Sequence, residues 1–164
     1  MAAAPALPPC RVQGLTLIEL LVTITILVML LMTAVPFTLD WGRSAKTLEA
    51  KGALVQAYGH TKALALRNPC RIAENASPST AANLQISTDG TTVALTVQPP
   101  TGCSYAHNWS ANLPSGVTLT IGGVAPVSGT PVNIALDNRG MPAGATGYVI
   151  SRGGTQNDET GTLR

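Results

Sequence analysis

Residues 14–21, Gly14-Leu15-Thr16-Leu17-Ile18-Glu19-Leu20-Leu21, place a carboxylate at the start of a long apolar run. From Leu20 to Leu39 there are 20 residues without a charge, rich in Leu, Ile, Val and Thr. As a helix rising 1.5 Å per residue, that run spans roughly 30 Å, the thickness of a bilayer's hydrocarbon core. An ionisable side chain in such a segment costs on the order of 3 kcal/mol at the bilayer centre and less near an interface. Glu19 therefore needs either a partner or a route to water.

Upstream, Met1 to Gly14 is Pro/Ala-rich, and Arg11 is its only charged side chain. A short basic segment before a long apolar run is a targeting layout. Three kinds of processing compete. A secretory signal cut near Thr33-Ala34 would remove the run, yet the run is long for that purpose and Pro36 follows the cut closely. A lipoprotein box at Leu7-Pro8-Pro9-Cys10 puts its cysteine before the apolar run, where such a box needs it after. A cut between Gly14 and Leu15 leaves the helix on the mature chain.

The third arrangement resembles the class III signal of type IV pilins and type II secretion pseudopilins. The resemblance rests on Gly14, the Thr16-Leu17-Ile18-Glu19-Leu20 run, the apolar stretch after it, and Pro36 at the twenty-second mature position. It implies cleavage after Gly14 by prepilin peptidase and N-methylation of Leu15, which stands where the family usually has Phe. It also implies a role in assembly for Glu19 and Pro36. Cleavage turns the Leu15 amine into a cation, and in a filament the Glu19 of one subunit can pair with the Leu15 amine of its neighbour. Away from water that pairing is stronger than at a surface. The competing reading is a snorkelling carboxylate with no partner. Pro36 removes one helical hydrogen bond and predicts a kink.

On this reading the chain divides into a leader (1–14), a transmembrane and assembly helix (15–39) and a periplasmic head (40–164). Removing 14 of 164 residues leaves 150, one domain plus an anchor. The chain would cross the bacterial inner membrane once and enter a pilus or pseudopilus. Cys10 leaves with the leader, and Cys70 and Cys103 remain on the exported side. Two thiols in an oxidising compartment usually pair. The closed loop of about 34 residues is worth roughly 3–4 kcal/mol in chain entropy. Two separate buried thiols are the alternative.

After Pro36 the positions Trp41, Ala45, Leu48, Gly52, Val55 and Gly59 follow a four-three spacing, one helix face. Leu54, Tyr58, Thr61 and Ala65 form a neighbouring stripe. Asn68-Pro69 ends the helix, because a residue before proline avoids the α region. Gly42, Gly52 and Gly59 weaken it, so tertiary packing must hold it. Beyond Cys70 the pattern turns to strands. Leu84–Ile86 and Val93–Val97 flank Asp89-Gly90, a hairpin signal. Further runs are Val117–Ile121, Val132–Leu136 and Tyr148–Ile150, with turns at Asn138-Arg139-Gly140 and Gly153-Gly154. Gln98 to Gly102 and Gly122 to Thr130 read as loops. This predicts an α+β chain: a long N-terminal helix, transmembrane then amphipathic, packed on an antiparallel β-sheet, which agrees with the pilin fold.

Tyr58 to Arg67, then Cys70-Arg71-Ile72, resembles the helix end and first strand of the GspH/FimT family, with Thr61 and Lys62 where Arg and Glu are usual. Ile134 to Gly140 resembles another segment of that family, with Leu136 for Phe. The resemblance implies a minor pilin that helps assemble or initiate a pilus used in twitching motility, adhesion or DNA uptake. The corresponding GspH-type pseudopilin of a type II secretion system carries the same marks. Some FimT-type pilins bind DNA in natural transformation through a Gly-Arg-x-Arg tail. Here the tail is Gly161-Thr162-Leu163-Arg164, with Thr162 in place of the first arginine.

Phosphate binding needs clustered cations. Residues 72–164 hold three arginines against five acids, and Asp40 to Arg71 holds six cations against two acids. The helix cations read as a solvated or interfacial face, so DNA is not the favoured partner. Arg139, Arg152 and Arg164 are the residues that could serve it if they converge. His60 and His107 have no further ligand at metal spacing, and no cofactor signature is present. Ser104, His107 and Asp89 could be named as a triad, but nothing in their context supports an enzyme. Asn75-Ala76-Ser77 and Asn108-Trp109-Ser110 read as ordinary loop polar residues.

Overall fold

Thr16 opens the helix. Its carbonyl accepts the Leu20 N–H at 3.2 Å and its hydroxyl accepts the Glu19 N–H at 3.3 Å, the work of an N-cap. The computed structural model describes residues 16–77, 79–106, 109–144, 146–152 and 158–164, with the backbone alone for 35–40. The cleavage pair Gly14–Leu15, His107 and Gly153-Gly154 lie outside the described residues. So does the side chain of Pro36, on which the expected kink rests.

Helix α1 runs from Leu17 to Arg67, and the chain divides into two compact units between Asp40 and Trp41. In the first unit, Leu17–Ala34 is long and apolar enough to cross a membrane, and none of it is buried. It is a candidate single membrane span or signal anchor. Thr23 and Thr33 donate their hydroxyls to the Leu20 and Leu30 carbonyls at 2.8 and 2.9 Å, and Thr25 does the same to Leu21. Those bonds let threonine sit in an apolar helix without an orphaned donor.

In the second unit the helix buries Thr47, Ala50, Leu54, Ala57, Tyr58, Thr61, Leu64 and Ala65. Steps of three and four put them on one face. Thr47 and Thr61 donate to the Ser44 and Ala57 carbonyls, so neither hydroxyl is left without a bond. The other stripe points outward: Trp41 is 79% exposed, Leu48 55% and Val55 51%. Periodicity names the faces of a helix without naming which one the rest of the chain covers. Here the small Ala50, Ala57 and Ala65 mark the covered face, within one core cluster that also holds the strand residues.

Among the described residues, seven strands make two antiparallel sheets where one was expected. The first, in order β3-β2-β1-β5, contains β1 (Ala82–Thr88), β2 (Val93–Gln98), β3 (Trp109–Asn112) and β5 (Val132–Leu136). The second, in order β4-β6-β7, contains β4 (Thr118–Ile121), β6 (Gly147–Ser151) and β7 (Glu159–Thr162). The sheets separate because β4 pairs with β6, from Thr118↔Ser151 to Ile121↔Tyr148, and not with the strand that follows it. The first strand also starts at Ala82 and not at Cys70–Ile72. The segment there is pinned by side chains instead, as described below.

In β1 and β2 buried and half-buried residues alternate, as expected for strands with one covered face. Leu84 pairs with Val97 on one side and Ile134 on the other. The second sheet adds Leu119, Ile121, Tyr148 and Ile150, with Leu163 just past β7. Gly161 lies opposite Tyr148, and a Cβ there would come within 2.7 Å of the ring. Lys51 on α1 reaches Glu159 on β7 at 2.9 Å, a contact that raises the lysine's pKa.

Truncating the two helix faces separates them experimentally. Leu54→Ala should cost about 2–5 kcal/mol of unfolding free energy, and Leu48→Ala should stay within about 0.5 kcal/mol. Urea titration of the detergent-solubilised chain reads both, and equal losses would contradict the assignment of faces.

Candidate functional site

Glu19 occupies the third position of α1. Its spacing from Thr16 is that of a capping box, and an acid in the first turn suits the positive end of the helix dipole. Sequence reasoning missed this local role, although Thr16-x-x-Glu19 was the available signal. The Leu15 amine proposed as its partner lies outside the described residues.

The other end of the helix is a built corner. Asn68 has φ of 42°, a left-handed conformation that asparagine tolerates, and its N–H reaches the Leu64 and Ala65 carbonyls. Its side-chain amide then clamps Ile72: Nδ2 donates to the Ile72 carbonyl and Oδ1 accepts the Ile72 N–H, both at 2.8 Å. Asn138 adds a bond to the same carbonyl at 3.3 Å. Between these anchors Cys70 is bridged to Cys103, with Cα atoms 5.8 Å apart. The bridge ties the end of α1 to the segment leaving β2.

Next to the bridge, Tyr105 and Trp109 are held by the helix. Arg67 Nη1 donates to the Tyr105 hydroxyl at 3.3 Å, and the His60 and Trp109 rings lie 4.9 Å apart at 32°. A groove of about 680 Å³ runs past both aromatics. Neither residue was singled out from sequence. A tyrosine and a tryptophan close behind a cysteine were the only cue.

The three arginines do not form one patch. Arg139 is paired with Glu74, and its N–H bonds the Asp137 carboxylate at 2.9 Å. Arg152 leaves β6 at the end where Ile150 pairs with Glu159. Arg164 leaves β7 at the end where Gly147 pairs with Thr162. They stand at opposite ends of a hairpin several residues long, at about 3.3 Å per residue. Asp89 and Ser104 are likewise separated by the length of β2, so the named triad is not assembled. Among the described residues no three His, Cys, Asp or Glu side chains gather as metal ligands.

Asp89 is instead the hub of the β1–β2 turn. Its Oδ1 accepts the Thr92 and Thr91 N–H groups at 2.7 and 2.8 Å, and the two threonine hydroxyls add further bonds. The Thr92 and Thr91 backbone donors hold its carboxyl well below the usual range. The chain matches no family model, no curated protein and no solved structure. Its geometry defines an α+β chain with an apolar N-terminal helix, a disulfide-locked corner and an aromatic groove.

Two tests follow from this geometry. Replacing both Cys70 and Cys103 with Ser should lower stability by roughly 3–4 kcal/mol, read by denaturant midpoint under non-reducing conditions. Asp89 stabilises the fold above its unfolded pKa of about 3.9, and that contribution fades as pH falls through the depressed folded value. Asp89→Ala should therefore be less stable than wild type at neutral pH, with the gap narrowing progressively as pH falls below about 4 and closing only below the depressed folded value. A gap that stayed constant across the acid range would contradict this.

Proposed function

We propose that this chain is a type IV pilin-like subunit, a minor pilin of the GspH/FimT type. Prepilin peptidase cuts it after Gly14, and it enters a helical filament with its head on the periplasmic side of the inner membrane. One observation carries the reading beyond the N-terminal motif: the outward stripe of α1 pairs apolar residues with glycines that nothing among the described residues packs against. Gly52 and Gly59 each cost about 1 kcal/mol in a helix relative to alanine. A Cβ added at either would meet nothing within 4 Å. They alternate with exposed Leu48 and Val55 at a spacing near 3.5 residues, the repeat of helix-on-helix packing. Small residues on such a stripe let a second helix approach closely. The cost is justified in a subunit whose helix packs against other subunits' helices.

DNA binding is not part of the proposal, because Arg139 is occupied by Glu74 and Arg152 and Arg164 are far apart on their hairpin. A pseudopilus would use the same helix face, and the stripe favours neither filament over the other.

Co-expression with a prepilin peptidase should shorten the chain by residues 1–14, read by mass spectrometry, and Gly14→Leu should block this. Gly52→Ala with Gly59→Ala should raise subunit stability by up to about 2 kcal/mol while lowering its recovery in sheared filaments. Glu19→Leu should also lower that recovery. Normal filament entry by both variants would overturn the proposal.

A further inference from the structure

We infer that Trp41 anchors this chain in the headgroup layer of a phospholipid bilayer, with its indole among the glycerol and phosphate groups. This rests on Leu17–Ala34 crossing the membrane and not on entry into a filament. The starting point is an aromatic side chain without a place in the fold. The chain has two tryptophans. Trp109 is half-buried against the core, and its ring lies 4.9 Å from that of His60. Trp41 is 79% exposed and is not part of the core cluster. An indole is among the largest apolar surfaces a side chain offers, and the compact unit that begins with Trp41 leaves it uncovered.

Its place along the chain says what covers it. The uncharged run ends at Leu39, and Trp41 stands two residues beyond. In a helix that is about 3 Å past the end of the run. A headgroup layer is about 5–7 Å thick, half the difference between a whole bilayer and its hydrocarbon core. Trp41 therefore falls inside that layer when the run fills the core, and Arg43 follows about 6 Å out, at its rim. Tryptophan concentrates at this depth because its ring prefers the apolar side while its N–H needs an acceptor. Phosphate and ester oxygens supply acceptors there. The other end of the run is matched. Glu19 directly precedes Leu20, and the run is roughly 30 Å long as a helix. With Trp41 in one headgroup layer, the run carries Glu19 to the other, which is the route to water its charge needs.

Trp41 shares its stripe with Leu48 and Val55, so a neighbouring helix is the competing occupant. Two features favour lipid. A dry helix seam offers the indole N–H few acceptors, since the helical carbonyls are already bonded. Gly52 and Gly59 also suit a close helix approach, whereas a tryptophan on the same stripe would wedge the helices apart. Charge does not select the lipid, because Asp40 and Glu49 balance Arg43 and Lys46. The anchor is the indole and not a basic patch, so it needs no anionic lipid. Trp41 makes this contact only while the chain is in a bilayer, so it biases the chain toward staying there.

The test uses the full chain reconstituted in phosphatidylcholine vesicles. No peptidase or second kind of subunit is present, so the result is separate from that of filament entry. Trp109→Phe leaves Trp41 as the single indole. Phosphatidylcholine brominated near the headgroup should quench its fluorescence roughly twofold more than lipid brominated near the acyl-chain ends, and iodide in the water should quench it weakly. Replacing half of the lipid with phosphatidylglycerol should leave this depth unchanged. If Trp109→Phe fails to fold, the difference spectrum between wild type and Trp41→Phe gives the same reading. Trp41→Ala should leave the unfolding midpoint of the detergent-solubilised chain where it is. Strong iodide quenching, stronger quenching by the deeper bromines, or quenching by neither reagent would overturn the anchor. So would a shallow depth that appears only with phosphatidylglycerol, or a chain that does not float with the vesicles. A lowered midpoint in Trp41→Ala would place the indole inside the fold and overturn it too.

Discussion

The compact unit from Trp41 to Arg164 depends on burying one face of one helix. Helix residues from Ala50 to Ala65 meet side chains from both sheets in a single cluster. Neither sheet could stand alone: the second has three strands of four or five residues, and short sheets need packing against a helix for independent stability. Leu54, at the centre of the helix face, is fully buried, as are Leu84, Leu95 and Ile150 from three different strands. The helix thus holds together two sheets that share no strand. The close approach this needs explains the alanines at positions 50, 57 and 65.

Reading the fold from sequence succeeds where one rule acts alone. The end of α1 follows from Asn68-Pro69, and the Asp89-Gly90 turn follows from its own chemistry, with Gly90 at φ of 94°. The α+β class follows from a change of period after Cys70. Reading fails where tertiary partners decide. Trp109–Asn112 and Glu159–Thr162 lack a β-branched apolar run and are strands because a neighbouring edge is open to them. The two helix stripes are equally periodic, and only the position of the sheets tells the buried one from the exposed one. The Cys70–Cys103 bridge was legible as a pairing of the two cysteines expected to share an oxidising compartment. The groove beside it was not, because Tyr105, Trp109, Thr96 and Gln98 meet only after the strands are laid side by side.

The corner after α1 shows how one side chain can stand in for a strand. The Asn68 amide bonds both backbone groups of Ile72, as a neighbouring strand would. This holds the chain near the sheet without extending the ladder, leaves the left-handed Arg71 at φ of 52° between the anchors, and brings Cys70 within reach of Cys103. The bridge and the amide clamp act on the same few residues, so their contributions should not add independently. Loosening either loosens the frame on which Tyr105 is carried.

In the proposed filament Glu19 would combine a local role with an intermolecular one. Its place in the first turn of α1, next to the Thr16 cap, gives the carboxylate a favourable dipole wherever the helix sits. That contribution is common to a subunit in a bilayer and a subunit in a filament, so it cancels in the equilibrium between them. Only an interaction that differs between the two states can shift that equilibrium. In the proposed filament the differing term is the neighbour's Leu15 amine, in competition with the subunit's own amine four residues away in the chain. The bias toward assembly is then the difference between two ion pairs, smaller than the full cost of a lone carboxylate in hydrocarbon. The exposed apolar stripe of α1 must supply the remainder.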